Sequence, residues 1–168
     1  MSLFAPKFLL VAYHSIGSFD GRYRHITISL EMFQKHIAYL QKRGYIFRHF
    51  RDIPSYTKSD FQQRVVCVYF DDGFRSVLEN AYPILKRENI PATLFLTTNY
   101  IDQKDVPGVY LSWNEVKKMS DVFEFGSHSV SHRKLNKIPF AEAKEEIIRS
   151  KEIIEEKNVI DDHLLDII

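Results

Sequence analysis

The triplet Asp71-Asp72-Gly73 places two carboxylates side by side, directly after an apolar segment. Adjacent unpaired carboxylates repel each other, and one of them is pushed towards protonation unless a cation lies between them. A divalent metal ion would remove this repulsion. The triplet alone is more typical of a turn after a strand, so a metal site needs further ligands elsewhere in the chain.

His128 and His132 offer those ligands. They are four residues apart, so on a helical turn both rings would lie on one face. Two imidazoles and one carboxylate make three protein ligands and leave one coordination position open, as in catalytic rather than structural metal sites. This set favours Zn²⁺, and Co²⁺, Ni²⁺, Mn²⁺ or Fe²⁺ also suit it. Two histidines at this spacing are common on protein surfaces, so the prediction rests on both motifs together.

Aspartate pairs at strand ends also serve phosphatases and receiver domains. Phosphoryl transfer through Asp71 is therefore an alternative hypothesis. It needs a second, spaced acidic residue and a lysine on a later strand, and it leaves the two histidines without a role. We rank it below the metal site.

Short apolar segments alternate with amphipathic ones, which predicts βα units, an α/β fold and a mainly parallel sheet. The predicted strands are residues 8–13 (expected to be fully buried), 45–47, 65–70, 92–97 and 122–125. The predicted helices are residues 30–43, 76–88, 112–119 and 139–157. The first has Ser29 as its N-terminal cap and Gly44 as its C-terminal cap, and the third begins with a capping box of Ser112 and Glu115. Pro83 should either bend the second helix or lie in its first turn. Both motifs follow strands, so they should face one crevice at the carboxyl ends of the sheet.

Composition describes an ordinary globular chain. Its 168 residues, 45% hydrophobic and 27% charged, suit one domain spanning residues 1–168. Lys and Arg number 23 against 22 Asp and Glu, so nothing indicates a nucleic-acid partner. The single cysteine, Cys67, excludes an internal disulfide. The apolar run at 8–13 is far shorter than the roughly 18 residues of a membrane span, which predicts no transmembrane segment and a cytoplasmic location.

With these motifs, the sequence resembles the polysaccharide deacetylases, which share the NodB homology domain (carbohydrate esterase family 4). Residues 65–74 resemble the family's first motif, and residues 128–132, preceded by 124–127, resemble its second. Residues 13–16 resemble members that act on poly-N-acetylglucosamine or on surface polysaccharide intermediates. Two further family-like segments are residues 80–86 and 90–95.

The resemblance implies a metal-dependent hydrolase that removes acetyl groups from an acetylated sugar or polysaccharide, with an N-acetylglucosamine-type substrate favoured. Asp71 would be the general base. Asp72, His128 and His132 would hold the metal ion. The implied fold is a (β/α) barrel of the NodB type, partial or distorted.

Three more residues receive roles at the substrate. The backbone amide of Gly73 or Phe74 would donate to the oxyanion of the tetrahedral intermediate, as the resemblance implies. His14, at the end of the first strand, would line the site.

The resemblance covers residues 8–157 and leaves 158–168 as an atypical tail. No counterpart is seen of the family's later Arg-rich, Pro-Tyr, Asp-Trp and Leu-x-His motifs, the last of which supplies a general acid. We therefore expect a barrel lacking its last strands, with an open sheet edge. That edge, or the apolar segment 164–168, predicts a homo-oligomer. The alternative function is a catalytically impaired metal-binding module that binds carbohydrate or a partner enzyme.

Overall fold

The computed structural model describes residues 7–18, 21–55 and 63–159. These residues contain seven β-strands and four α-helices. The strands are β1 Phe8–Tyr13, β2 Ser15–Ile16, β3 Thr27–Ile28, β4 Ile46–Phe47, β5 Val65–Phe70, β6 Ala92–Leu96 and β7 Phe123–Ser127. The helices are α1 Leu30–Lys42, α2 Tyr82–Arg87, α3 Trp113–Lys118 and α4 Phe140–Glu156. The predicted alternation of strands and helices is confirmed, with most boundaries displaced by one or two residues.

A parallel sheet brings the long strands together in the order β1-β5-β6-β7, and β4 pairs with the beginning of β5. The register aligns Tyr13 with Phe70 and Leu96 with Ser127. All four long strands therefore end at one edge of the sheet. A smaller parallel pair, β2 and β3, lies outside it. The α/β class is confirmed, and within the described ranges the sheet is open, with β1 and β7 as its outer strands.

The hydrophobic core lies between the sheet and its helices. Every second residue of β5 points towards α1, namely Val66, Val68 and Phe70. Phe33 and Ile37 of α1 are buried in the same core. The Phe33 and Phe70 rings pack edge-to-face with centroids 5.9 Å apart. This packing makes β5 the most buried strand, so the residues that follow it start from a rigid support.

Helix caps follow the local sequence signals. The Ser29 hydroxyl accepts a hydrogen bond from the Met32 amide at the start of α1. Ser112 and Glu115 form the predicted reciprocal capping box before α3. Gly44, just after α1, has a φ of 73°, as expected for a glycine that ends a helix. These three predictions are confirmed.

The first strand differs from its prediction. Leu10 is 51% exposed and Ala12 is also exposed, so β1 is not fully buried. The reason is its position, because an outer strand is covered less than a central one. The exposed side chains are consistent with the predicted contact between copies, which stays a prediction. The apolar segment 164–168 lies outside the described residues.

The segment before α2 also departs from a simple helix. Residues Val77–Ala81 form a π-helical turn, and Pro83 lies in the first turn of α2. Because proline has no N–H to donate, a helix that begins close to it loses no hydrogen bond there. None of the helices in the described ranges is both long and apolar enough to cross a bilayer.

Candidate metal centre

Polar residues follow three neighbouring strands where the sheet ends. Asp71 and Asp72 follow β5, Thr97 follows β6 and His128 follows β7. Because these strands are parallel, their carboxyl ends meet at one edge and the side chains share one crevice. The predicted convergence of the two motifs is therefore what the topology produces.

The aspartate turn, residues 71–73, leaves β5 through a strained backbone. The Asp71 amide donates to the Tyr13 carbonyl at 3.0 Å, which continues the pairing of β5 with β1. Asp72 then has a φ of 73° and Gly73 a φ of 87°. A Cβ atom on Gly73 would lie 2.7 Å from Ile101 Cδ1, so only glycine fits there. This turn holds the Asp72 side chain in a buried position at the sheet edge.

Asp72, His128 and His132 offer three ligand atoms that all lie within 4.8 Å of one another. Asp72 Oδ1 is 3.8 Å from His128 Nε2 and 3.4 Å from His132 Nε2. The two imidazole rings are tilted, with centroids 5.0 Å apart. The three residues that the two motifs single out are therefore brought together.

The histidine loop, residues 128–132, is not the helical turn that the sequence predicted. Ser129 and His132 have φ values of 66° and 58°, which a right-handed helix does not allow. The His132 amide donates to the Ser129 hydroxyl at 3.1 Å, so the loop closes on itself through a side chain. The two rings converge because the loop reverses its backbone, and not because a helix repeats every four residues.

Burial shifts the pKa values of Asp71, which lies beside the centre, and of His128, which belongs to it. It raises the pKa of Asp71 to about 7, with the neighbouring Asp72 carboxylate as the second cause. It also lowers the pKa of His128, with Asp72 opposing this shift and His132 and His14 adding to it. A neutral imidazole is the form that binds a metal ion, and a carboxyl group with a pKa near neutrality can both accept and return a proton.

This donor set fits a divalent transition metal. One carboxylate and two imidazoles with mutually close ligand atoms are a common catalytic ligand set. The side chains of His128 and His132 are 35% and 46% exposed, whereas that of Asp72 is 8% exposed. A cation held here would thus have protein on one side and an accessible position on the other.

The remaining predicted site residues lie around this centre. His14 Nε2 is 3.8 Å from Asp71 Oδ2, so His14 does line the crevice beside the proposed base. The Gly73 amide donates to the Asp71 carbonyl at 3.0 Å, so it already has an acceptor within the turn. Phe74 is fully buried and pairs with Tyr110 in an isolated antiparallel bridge. The oxyanion role of these two amides stays a prediction.

Sequence reasoning missed two residues beside the centre. Thr97 Oγ1 lies 3.4 Å from Asp72 Oδ1 and 3.3 Å from the His128 carbonyl oxygen. Its position at the end of the predicted strand 92–97 was a usable signal. Glu146, on α4, accepts hydrogen bonds from Val130 and Ser131. No local signal marks it among the other charges of that helix.

The fold and these side chains define an α/β chain with a cluster of one carboxylate and two imidazoles at the carboxyl edge of its parallel sheet. Comparison with known proteins agrees, because residues 58–163 match the family model described as polysaccharide deacetylase. The chain belongs to the polysaccharide deacetylase family.

Individual relatives give the same result. The chain is 30% identical over 118 residues to a poly-beta-1,6-N-acetyl-D-glucosamine N-deacetylase of Staphylococcus aureus (strain MRSA252). That match covers 68% of this chain and 41% of the relative, so the chain spans less than half of the relative's length.

Solved structures show the same fold. A polysaccharide deacetylase from Bacillus cereus matches with a TM-score of 0.74 and 26% identity, over 89% of this chain and 47% of that one. The Streptococcus pyogenes deacetylase PplD, solved in complex with acetate, matches with a TM-score of 0.75 and 22% identity, over 88% of this chain and 67% of that one.

Proposed function

We propose that this chain forms the metal-binding and base-carrying part of a hydrolase that removes acetyl groups from an N-acetylglucosamine polymer. The observation that carries the proposal is the convergence of Asp72, His128 and His132 beside Asp71. Family membership supports the reaction class. The name of the staphylococcal relative, and the family-like residues 13–16, support the choice of sugar.

A divalent metal ion bound by the three ligands would supply Lewis acidity and lower the pKa of bound water towards neutrality. The chain's own contribution is Asp71, whose raised pKa suits it to take a proton from the attacking water. The water oxygen bonds to the acetyl carbon as its proton passes to Asp71; the carbon–nitrogen bond then breaks while the nitrogen receives that proton, so that acetate and an amine result. His14 Nε2 lies 3.8 Å from Asp71 Oδ2, close enough to contact a substrate bound beside the base.

The ligand geometry favours this function over phosphoryl transfer. An aspartate that receives a phosphoryl group needs no imidazole pair, whereas here both imidazoles face Asp72 within 4 Å. Their position beside Asp72 supports a role as metal ligands, whereas the phosphoryl hypothesis leaves them without one.

The test is acetate release from a β-1,6-linked N-acetylglucosamine oligomer by protein stripped of metal and then reloaded with Zn²⁺ or Co²⁺. We expect release from the reloaded protein, no release from the stripped protein, and none from His132→Ala. His25→Ala is the matched control, because His25 is exposed and outside the site, and it should retain release. Metal binding without acetate release would instead support the impaired binding module.

A further inference from the structure

Helix α4 contacts the histidine loop through a single carboxylate. Glu146 Oε2 accepts hydrogen bonds from the backbone amides of Val130 and Ser131, at 3.0 and 2.8 Å. Glu146 Oε1 accepts a third from the Ser131 hydroxyl at 2.5 Å. Both oxygens of one side chain thus accept hydrogen bonds from two of the three residues that lie between His128 and His132.

The opposite side of the same loop is held by a different element. The amides of Thr98 and Asn99, just after β6, donate to the carbonyl oxygens of Ser129 and Val130 at 3.2 and 2.9 Å. The amides of Val130 and Ser131 therefore donate to α4, while the carbonyl groups of Ser129 and Val130 accept hydrogen bonds from the residues after β6. With both sides hydrogen-bonded, the peptide units between the histidines have little freedom to rotate.

Charge makes the contact with Glu146 strong. Partial burial raises the pKa of Glu146, but hydrogen bonds from Ser131 and Val130, with the nearby Arg133, outweigh it and lower the pKa overall. The group is ionised at neutral pH. Hydrogen bonds to an ionised acceptor are about twice as strong as those between neutral groups.

The loop needs such support because its own backbone is unfavourable. Ser129 and His132 both occupy the left-handed region, which costs a residue other than glycine roughly 1–2 kcal/mol. Strained residues persist only where surrounding structure determines their conformation. The carboxylate of Glu146, which is 14 residues beyond His132 in the sequence, helps to hold the loop in this conformation.

We propose that Glu146 is a positioning residue, which sets the separation of His128 and His132 by fixing the peptide units of Val130 and Ser131. It touches none of the three proposed ligands and does not touch Asp71, so it is not a catalytic residue. The inference rests on the proposed function, because it matters only if the histidines bind a cation. It assigns to α4 a part in the metal centre.

The test is the affinity of purified protein for Zn²⁺, measured by competition with a chromophoric chelator. Glu146→Ala should weaken Zn²⁺ binding about 10- to 100-fold, the usual effect of losing a partner that orients metal ligands. Glu145→Ala is the matched control. It removes the same charge from the next position of the same helix, and Glu145 is exposed, so its affinity should equal that of the wild type.

Two further variants separate positioning from general stability. Glu146→Gln keeps one carbonyl oxygen in place and should recover part of the affinity, whereas Ser131→Ala removes one hydrogen bond of three and should weaken binding least. The visible absorption of bound Co²⁺, which reports ligand geometry, should change in Glu146→Ala and not in Glu145→Ala. A purely structural role would lower the thermal midpoint of the metal-free protein and leave the Co²⁺ spectrum unchanged.

The outcomes distinguish the two proposals. Wild-type protein that binds no Zn²⁺ overturns the metal site and the positioning role with it. Wild-type protein that binds Zn²⁺, with Glu146→Ala binding equally well, overturns the positioning role alone. If Glu146→Ala does not fold, unchanged affinity in both Glu146→Gln and Ser131→Ala overturns it.

Discussion

The aspartate turn and the histidine loop both contribute residues to the proposed metal centre, but they are built differently. The turn follows the long buried strand β5 and is shaped mainly by its own backbone, with Gly73 accommodating the reversal; one long-range hydrogen bond joins the Asp71 amide to Tyr13 of β1. The loop is more exposed and is held by partners from two other elements. One half of the site thus depends on local backbone geometry, and the other on tertiary contacts.

The difference in burial has a functional meaning. Asp72 is 5% exposed, so its charge is poorly solvated and favours a bound cation. The histidines face the open side, from which the proposed substrate would enter. Changes in the turn should therefore alter charge and folding, whereas changes in the loop should alter ligand spacing.

The largest effect is expected from Asp72→Asn. Asparagine tolerates the left-handed conformation of this position, so the fold should survive while the anionic ligand is lost. Zn²⁺ affinity, measured by chelator competition, should fall by more than about 100-fold, the upper range for losing a mere orienting partner, and acetate release should disappear. Wild-type affinity in this variant would remove Asp72 from the centre.

Asp71→Asn tests whether the two aspartates of the turn have different roles. Loss of a general base typically lowers the rate by roughly 10²–10⁴-fold, so acetate release should fall by that factor in steady-state assays. Zn²⁺ affinity should not weaken, because Asp71 is not among the three ligand residues. A parallel loss of affinity would instead make Asp71 a ligand.

Gly73→Ala tests how far the turn depends on its glycine. The left-handed backbone should cost about 1–2 kcal/mol, and the contact with Ile101 Cδ1 roughly 1–3 kcal/mol more, measured as the free energy of unfolding in urea. Gly108→Ala is the matched control, since its φ is 78° but a Cβ atom there meets nothing within 4 Å. Equal losses in the two variants would show that packing at Gly73 contributes nothing.

The smallest effect is expected from Ser150→Ala on α4. The Ser150 hydroxyl is buried, contacts the Ser127 hydroxyl and lies 3.1 Å from the Ile147 carbonyl oxygen. Its loss should cost about 0.5–1.5 kcal/mol of unfolding free energy, with Zn²⁺ affinity unchanged in the competition assay. A loss of affinity as large as that of Glu146→Ala would extend the positioning role along the helix.

The sequence predicted those parts of the molecule that depend on local signals. The long strands were predicted from apolar segments, and the helix ends from Ser29, Gly44 and the Ser112–Glu115 capping box. Each of these signals acts over only a few residues. Parallel topology predicted that the two motifs meet at one edge of the sheet, and the choice of Asp72 as the ligand came from the resemblance to the deacetylase family.

Tertiary contacts account for what the sequence did not predict. The left-handed residues of the histidine loop are held by Glu146 and by the end of β6, and no pattern near His128 encodes those partners. The exposure of Leu10 depends on the position of β1 at the outside of the sheet. The apolar composition of β1 does not reveal that position.

The most direct test of the metal centre is a crystal structure of the Zn²⁺-loaded protein with anomalous diffraction at the zinc edge. We predict one peak within about 2.0–2.2 Å of Asp72 Oδ1, His128 Nε2 and His132 Nε2. A peak at other residues, or none at a Zn²⁺ concentration that saturates binding in solution, would contradict the account.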